Sequence, residues 1–102
     1  MNRIKVLHHL NNADIGGTTK TSLLFAQFLD RDKFDVYFSC RVDRENIRLE
    51  EFKLAVGQDN VSLIRDGNDL QRIIDNKKIQ IFHTYRSGFN EFPENGTHIN
   101  VL

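Results

Sequence analysis

Asn11-Asn12-Ala13-Asp14-Ile15-Gly16-Gly17-Thr18-Thr19-Lys20 separates an apolar, strand-like run, Ile4 to Leu10, from a helix-like one, Thr21 to Leu29. A strand, a turn holding a glycine pair and then a helix make the opening of a βαβ unit, so this stretch decides the fold. A glycine pair at such a turn lets backbone pass close to a ligand and aims the first free N–H groups of the helix at it. Those groups and the helix dipole favour an anion, most often a phosphate. A plain tight turn would use the same residues. Against that plainer reading, residues 11 to 17 form a longer loop than a tight strand-to-helix connection needs. Long loops at the carboxyl end of a central strand are where doubly wound folds hold ligands.

The rest of the chain extends the alternation. Thr18 or Thr19 is placed to cap the first helix, and Leu23, Leu24, Phe25, Phe28 and Leu29 give it a broad apolar face. After the polar connector Asp30 to Lys33, Phe34 to Cys40 makes a second strand with aromatic and β-branched bias. Arg44 to Val56 reads as a helix with Ile47, Phe52 and Ala55 inward and Gly57 as its carboxyl-terminal cap. Val61 to Ile64 is a short third strand, and Asp69 to Lys77 a helix with Leu70, Ile73 and Ile74 on one face. Ile79 to His83 is a fourth strand; after a loop with Gly88, Pro93 and Gly96, His98 to Leu102 starts a fifth. The alternation predicts an α/β fold with a parallel, doubly wound sheet of about five strands. A last parallel strand with nothing after it would be an exposed edge. The chain is therefore expected to be the front portion of a larger architecture.

Composition bounds the function. A chain of 102 residues, 39% hydrophobic and 27% charged, is an ordinary folded single domain. Lys plus Arg and Asp plus Glu are 14 each, so the basic footprint of a nucleic-acid binder is missing. The same balance leaves no global pull toward an anionic membrane, only room for a local patch. No apolar run reaches the roughly 18 residues of a membrane span. No secretory pattern follows Met1-Asn2-Arg3, and the single Cys40 has no partner for an internal disulfide. Together these predict a cytoplasmic setting. Asn95-Gly96-Thr97 then reads as a turn rather than a glycosylation site.

Two further motifs carry chemistry. His83-Thr84-Tyr85-Arg86-Ser87-Gly88 directly follows the fourth strand, so His83 stands at the ligand crevice, able to donate a hydrogen bond or move a proton. The plainer reading is a histidine satisfied by loop carbonyls. Gly16 to Ser22 also resembles the phosphate loop of the ParA/MinD-type ATPases, with Lys20 and Thr21 serving the terminal phosphates and Mg²⁺. Thr19, however, stands where that loop needs a glycine, and Ile15 where it has a signature lysine. The strand Ile79 to Phe82 also lacks the expected metal-binding aspartate. His8 and His9 face opposite ways on a strand and form no metal pair; no spacing reads as a metal site. Arg41, Arg44, Arg48 and Lys53, interleaved with acidic residues, read as a solvated helix face. Cys40 reads as a small buried hydrophobe.

Together the first strand, the Asp14-Ile15-Gly16-Gly17 turn, the Asp32-Lys33-Phe34-Asp35-Val36 approach to the second strand and Ile79-Gln80-Ile81-Phe82-His83-Thr84 resemble a known family. It is the amino-terminal Rossmann-like domain of GT-B glycosyltransferases of the retaining GT4 type. The resemblance implies an acceptor-side domain over residues 1–102, facing a carboxyl-terminal donor-binding domain that would lie beyond Leu102. It implies transfer of a sugar from a nucleotide-sugar donor to a sugar, lipid or protein acceptor, without metal or resident cofactor, and no turnover by this portion alone. Gly16 and Gly17, with Thr18 beside them, would approach the donor phosphates, and Lys20 would be the basic residue after the turn. Many members show His-x-His after the fourth strand. Here His83 matches the first histidine and Tyr85 stands at the second, which makes them the catalytic candidates. The ATPase and a small flavodoxin-like binding or regulatory module remain the alternatives.

Overall fold

The computed structural model describes residues 3–84 and 98–100. Strand β1 (Ile4–His9) leads through the glycine turn into helix α1 (Gly17–Phe28), then strand β2 (Phe34–Arg41) and helix α2 (Leu49–Val56). A single 3₁₀ turn at Gln58–Asn60 precedes strand β3 (Val61–Ile64), helix α3 (Gly67–Lys77) and strand β4 (Ile81–Thr84). Four strands carry the sheet, in the order β3-β2-β1-β4, and every pairing between them is parallel. Of the expected fifth strand, three residues are described, His98–Asn100 (β5), pairing by backbone beyond β4. Val101, Leu102 and the loop with Gly88, Pro93 and Gly96 lie outside the described residues.

The order reverses at β1, which pairs with β2 on one side and β4 on the other. Right-handed crossovers in opposite directions put helices on opposite faces. One apolar layer joins Leu23 and Ala26 of α1 and Phe52 and Val56 of α2 to Val36, Phe38 and Cys40 of β2. Phe38 and Phe52 stack with ring centroids 3.8 Å apart and planes 11° off parallel. The other layer joins Leu70 and Ile74 of α3 to Leu7, Ile64 and Phe82, with Tyr37 and Ile73 at its edge. Alternate residues of β2 thus serve opposite layers, as the pleat requires. The doubly wound α/β fold read from the sequence is the fold of this chain.

Three local expectations are corrected. First, the helix expected from Arg44 begins only at Leu49, and Ile47 is exposed rather than inward. The side-chain amide of Asn46 donates to the carbonyls of Arg41 (2.9 Å) and Arg44 (3.1 Å), holding this segment in turns instead. Secondly, α1 begins four residues earlier than Thr21, and neither threonine caps it. Gly16 is its N-cap residue, and Thr19 lies inside the first turn. Thirdly, its apolar face is narrower than expected. Leu23 is buried and Leu29 partly so, but Leu24, Phe25 and Phe28 are exposed, Phe28 by 78%. Smaller shifts are one to two residues at the strand ends and at the start of α3, which begins at Gly67 rather than Asp69, with Gly57 capping α2 at φ 95° as its position predicts.

Candidate functional site

The loop after β1 is long but tightly held. Leu10 N–H donates to the Ser39 carbonyl (3.1 Å), and Arg41 N–H to the Asn11 carbonyl (3.0 Å), so the ladder with β2 runs past the end of β1. Ala13, fully buried, donates its N–H to Asn46 Oδ1 (2.8 Å) and accepts at its carbonyl from Arg48 N–H (2.9 Å). Asp14 then folds over the helix start. Its Oδ1 accepts from Gly16 N–H (2.9 Å) and the Thr19 hydroxyl (3.0 Å), and its Oδ2 from the Asn12 amide (2.9 Å). These donors, the Gly16 N–H first, hold the Asp14 carboxyl below its usual range, so it is ionised.

Above this loop lies a pocket of about 290 Å³. It is lined by Leu10, Asn11, Asn12 and Asp14, by the helix start from Gly16 to Thr19, and by Arg44 of the β2–α2 loop. The first intrahelical bond is Lys20 N–H to Gly16 O (3.1 Å), so the N–H groups of Gly17, Thr18 and Thr19 precede the ladder at the end where a helix attracts anions. Neither glycine uses a left-handed backbone; Gly16 has φ −63° and ψ 167°. At Gly16 a Cβ would come 3.1 Å from Asp14 Oδ1, whereas at Gly17 it would meet nothing within 4 Å. A side chain at Gly16 would therefore crowd the Asp14 carboxylate, whereas Gly17 is not demanded by the turn, and its missing side chain leaves open space.

Gly16, Gly17 and Thr18 all line this pocket. Lys20 is exposed and is not among the residues lining this pocket. Its neighbour Thr21 spends its hydroxyl on the Gly17 carbonyl (3.1 Å). His83 does not line the pocket either. It pairs in register with His8 on β1, and its ring lies 4.9 Å from His8 and 5.8 Å from Phe25 of α1. Burial holds the His83 imidazole below its ordinary pKa. His8, buried beside it, is pushed down to about 3, by burial first and then by His83. Tyr85, the other catalytic candidate, lies outside the described residues.

His9 faces the other way, toward Phe82. Its Nε2–H donates to Asn11 Oδ1 (3.4 Å) and its Nδ1 accepts from the Ser39 hydroxyl (2.8 Å). Burial dominates, and the His9 pKa falls to about 4. Cys40 is fully buried, its thiol pushed up to about 12, in keeping with a small hydrophobe. Among the described residues no group of three or more His, Cys, Asp or Glu is placed to hold a metal ion, and no helix is long and apolar enough to cross a membrane.

Sequence reading missed Arg44 and Asn46. The sequence reads Arg44 as part of a solvated helix face; it lies instead ahead of the helix, among the residues that line the pocket. The only signal for Asn46 is its own turn-forming type, with Asp43 three residues before it. A larger hollow of about 1040 Å³ lies at the amino end of β1, lined by Arg3, Lys5 and Asp35 among others. Doubly wound sheets bind at the opposite end, and Arg3 is already paired with Asp35 at 3.2 Å. What these features define is a class: a Rossmann-like doubly wound α/β protein with a polar pocket over its first strand-to-helix turn. No family model matches the chain, and no curated protein matches it in sequence.

Proposed function

We propose that this chain is the acceptor-side Rossmann-like portion of a retaining glycosyltransferase of the GT-B kind, and that its glycine turn meets the phosphates of a nucleotide-sugar donor. The observation that carries the reading is the polar pocket lined by Gly16 to Thr19, at the end of α1 whose first N–H groups precede the hydrogen-bond ladder, beside Gly17, which has no steric duty to the fold. In enzymes of that kind a second domain grips the nucleotide and sugar, and the acceptor is a sugar, lipid or protein. The chain alone should then bind the diphosphate weakly and turn nothing over.

The metal-dependent ATPase alternative fits less well. A phosphate loop must wrap its ligand before the helix starts, yet Gly17, Thr18 and Thr19 are already helical. The Thr21 hydroxyl that would bind Mg²⁺ is spent within the helix.

Titrating the ¹⁵N-labelled chain with UDP, GDP and their sugar conjugates tests the proposal. The amide signals of Gly16, Gly17 and Thr18 should move, equally with and without Mg²⁺. Gly17→Ala should leave the melting temperature within a degree or two, about what a surface change costs, while weakening those shifts by putting a methyl group at a residue that lines the pocket. Unmoved amides in the unmodified chain, or nucleotide binding that needs Mg²⁺, would overturn it.

A further inference from the structure

We infer that Arg44, and not Lys20, is the cation that admits an anionic ligand to this pocket, and that Asn46 is the residue that places it there; the inference rests on the phosphate-binding reading above. The pocket contains a fixed negative charge, Asp14, directly at the helix start. That carboxylate already occupies the Gly16 N–H and offsets part of the field of the helix end. An incoming phosphate therefore needs a compensating cation on the pocket wall. Among the described residues that line it, Arg44 is the cationic one.

Arg44 is also available. Its nearest acid is Asp43, with Nε 3.8 Å from Oδ1, but Asp43 is more closely held by Arg41, at 3.0 Å to Nε and 3.3 Å to the terminal nitrogen. The Arg44 side chain is 53% exposed, so its guanidinium can swing onto a ligand without breaking a buried pair. A guanidinium suits the task because its planar donors match two phosphate oxygens at once.

The position is set by Asn46. One side-chain amide grips both loops: Oδ1 accepts from Ala13 of the glycine loop at 2.8 Å, while Nδ2 donates to the carbonyls of Arg41 and Arg44 at 2.9 and 3.1 Å. The backbone of Arg44 is thus tied to the same loop that carries Asp14 and the glycine pair. Asn46 touches no ligand; it is a positioning residue.

The test uses inorganic pyrophosphate as the probe, followed by the amide shifts of Gly16 to Thr18 in the unmodified chain, Arg44→Gln, Arg44→Lys, Lys20→Gln and Asn46→Ala. Arg44→Gln should weaken binding roughly three- to tenfold, the range for losing one charge-assisted contact at a partly exposed site. Arg44→Lys should recover part of that loss, and Lys20→Gln should change it less than about twofold, as for a screened surface charge. Asn46→Ala should weaken binding as Arg44→Gln does, and adding Arg44→Gln to it should weaken binding little further, a coupling that general loosening of the fold would not produce. If pyrophosphate binds and Lys20→Gln abolishes binding while Arg44→Gln does not, this inference fails and the phosphate-binding reading stands. If pyrophosphate does not bind the unmodified chain at all, both fail.

Discussion

His8 and His9 are neighbours that leave the sheet on opposite faces, and burial holds both neutral in the folded chain. Unfolded, each takes up a proton near 6.5; folded, His8 does so only near 3 and His9 near 4. The unfolded chain therefore binds more protons as pH falls below that value. Stability is full above about pH 6.5 and declines steadily toward pH 4 and below. Between about pH 7.5 and 5 each histidine should cost up to about 2 kcal/mol, read as a falling urea midpoint. The carboxyls held low by hydrogen bonds, Asp14 and Asp69 among them, respond only at more acid pH, so this window isolates the imidazoles. A midpoint unchanged across it would contradict the assignment. At this scale the sequence was readable where structure is local: Gly16, Gly17 and Thr18, adjacent in the chain, line one pocket. Arg44 was not readable, because it reaches the loop only through the pairing of β1 with β2.

Among the elements, α3 is the one whose limits follow most directly from its residues. Asp66 caps it by accepting from Asp69 N–H (3.0 Å), and the Asp69 carboxylate reaches past the cap to Arg65 N–H (2.9 Å), one residue further than in a capping box. Leu70, Ile73 and Ile74 then recur at helical spacing on the buried side. Asp66→Ala should cost about 1 kcal/mol, the usual value for losing a cap, measured as a shift in urea midpoint with unchanged slope. The start of α2 could not be found the same way. Arg44 to Arg48 have adequate helix propensity, but the Asn46 side chain bonds the carbonyls of Arg41 and Arg44, and its Oδ1 and the Arg48 N–H tie the segment to Ala13 of the glycine loop. In α1 the spacing of Leu23, Leu24, Phe25 and Phe28 marked a helix correctly. It could not say which of those side chains the sheet would cover.

For the molecule as a whole, two apolar layers share one sheet. Phe52 belongs to the α1–α2 layer and stacks on Phe38, yet β2 also feeds the α3 layer through Tyr37. Phe52→Ala should cost about 3–5 kcal/mol, the range for emptying a buried aromatic site. Because the layers are joined through β2, the amide signals of α3 should lose their protection at the same lowered urea concentration as those of α2. Separate transitions would show that the layers melt independently. The doubly wound arrangement was legible because strand and helix spacings alternate cleanly; the pocket wall was not, since it joins loops from two different crossovers. The central position of β1 also has a consequence for biosynthesis. Its first neighbour, β2, emerges from the ribosome soon after it, but its second, β4, pairs Val6 with Ile81 and arrives only when the described sheet is almost fully synthesised. Until then the β4-facing edge of β1, with Leu7 and His8 on it, stays open on the nascent chain, so a pause in translation before Ile81 is the moment at which a chaperone would have most to hold.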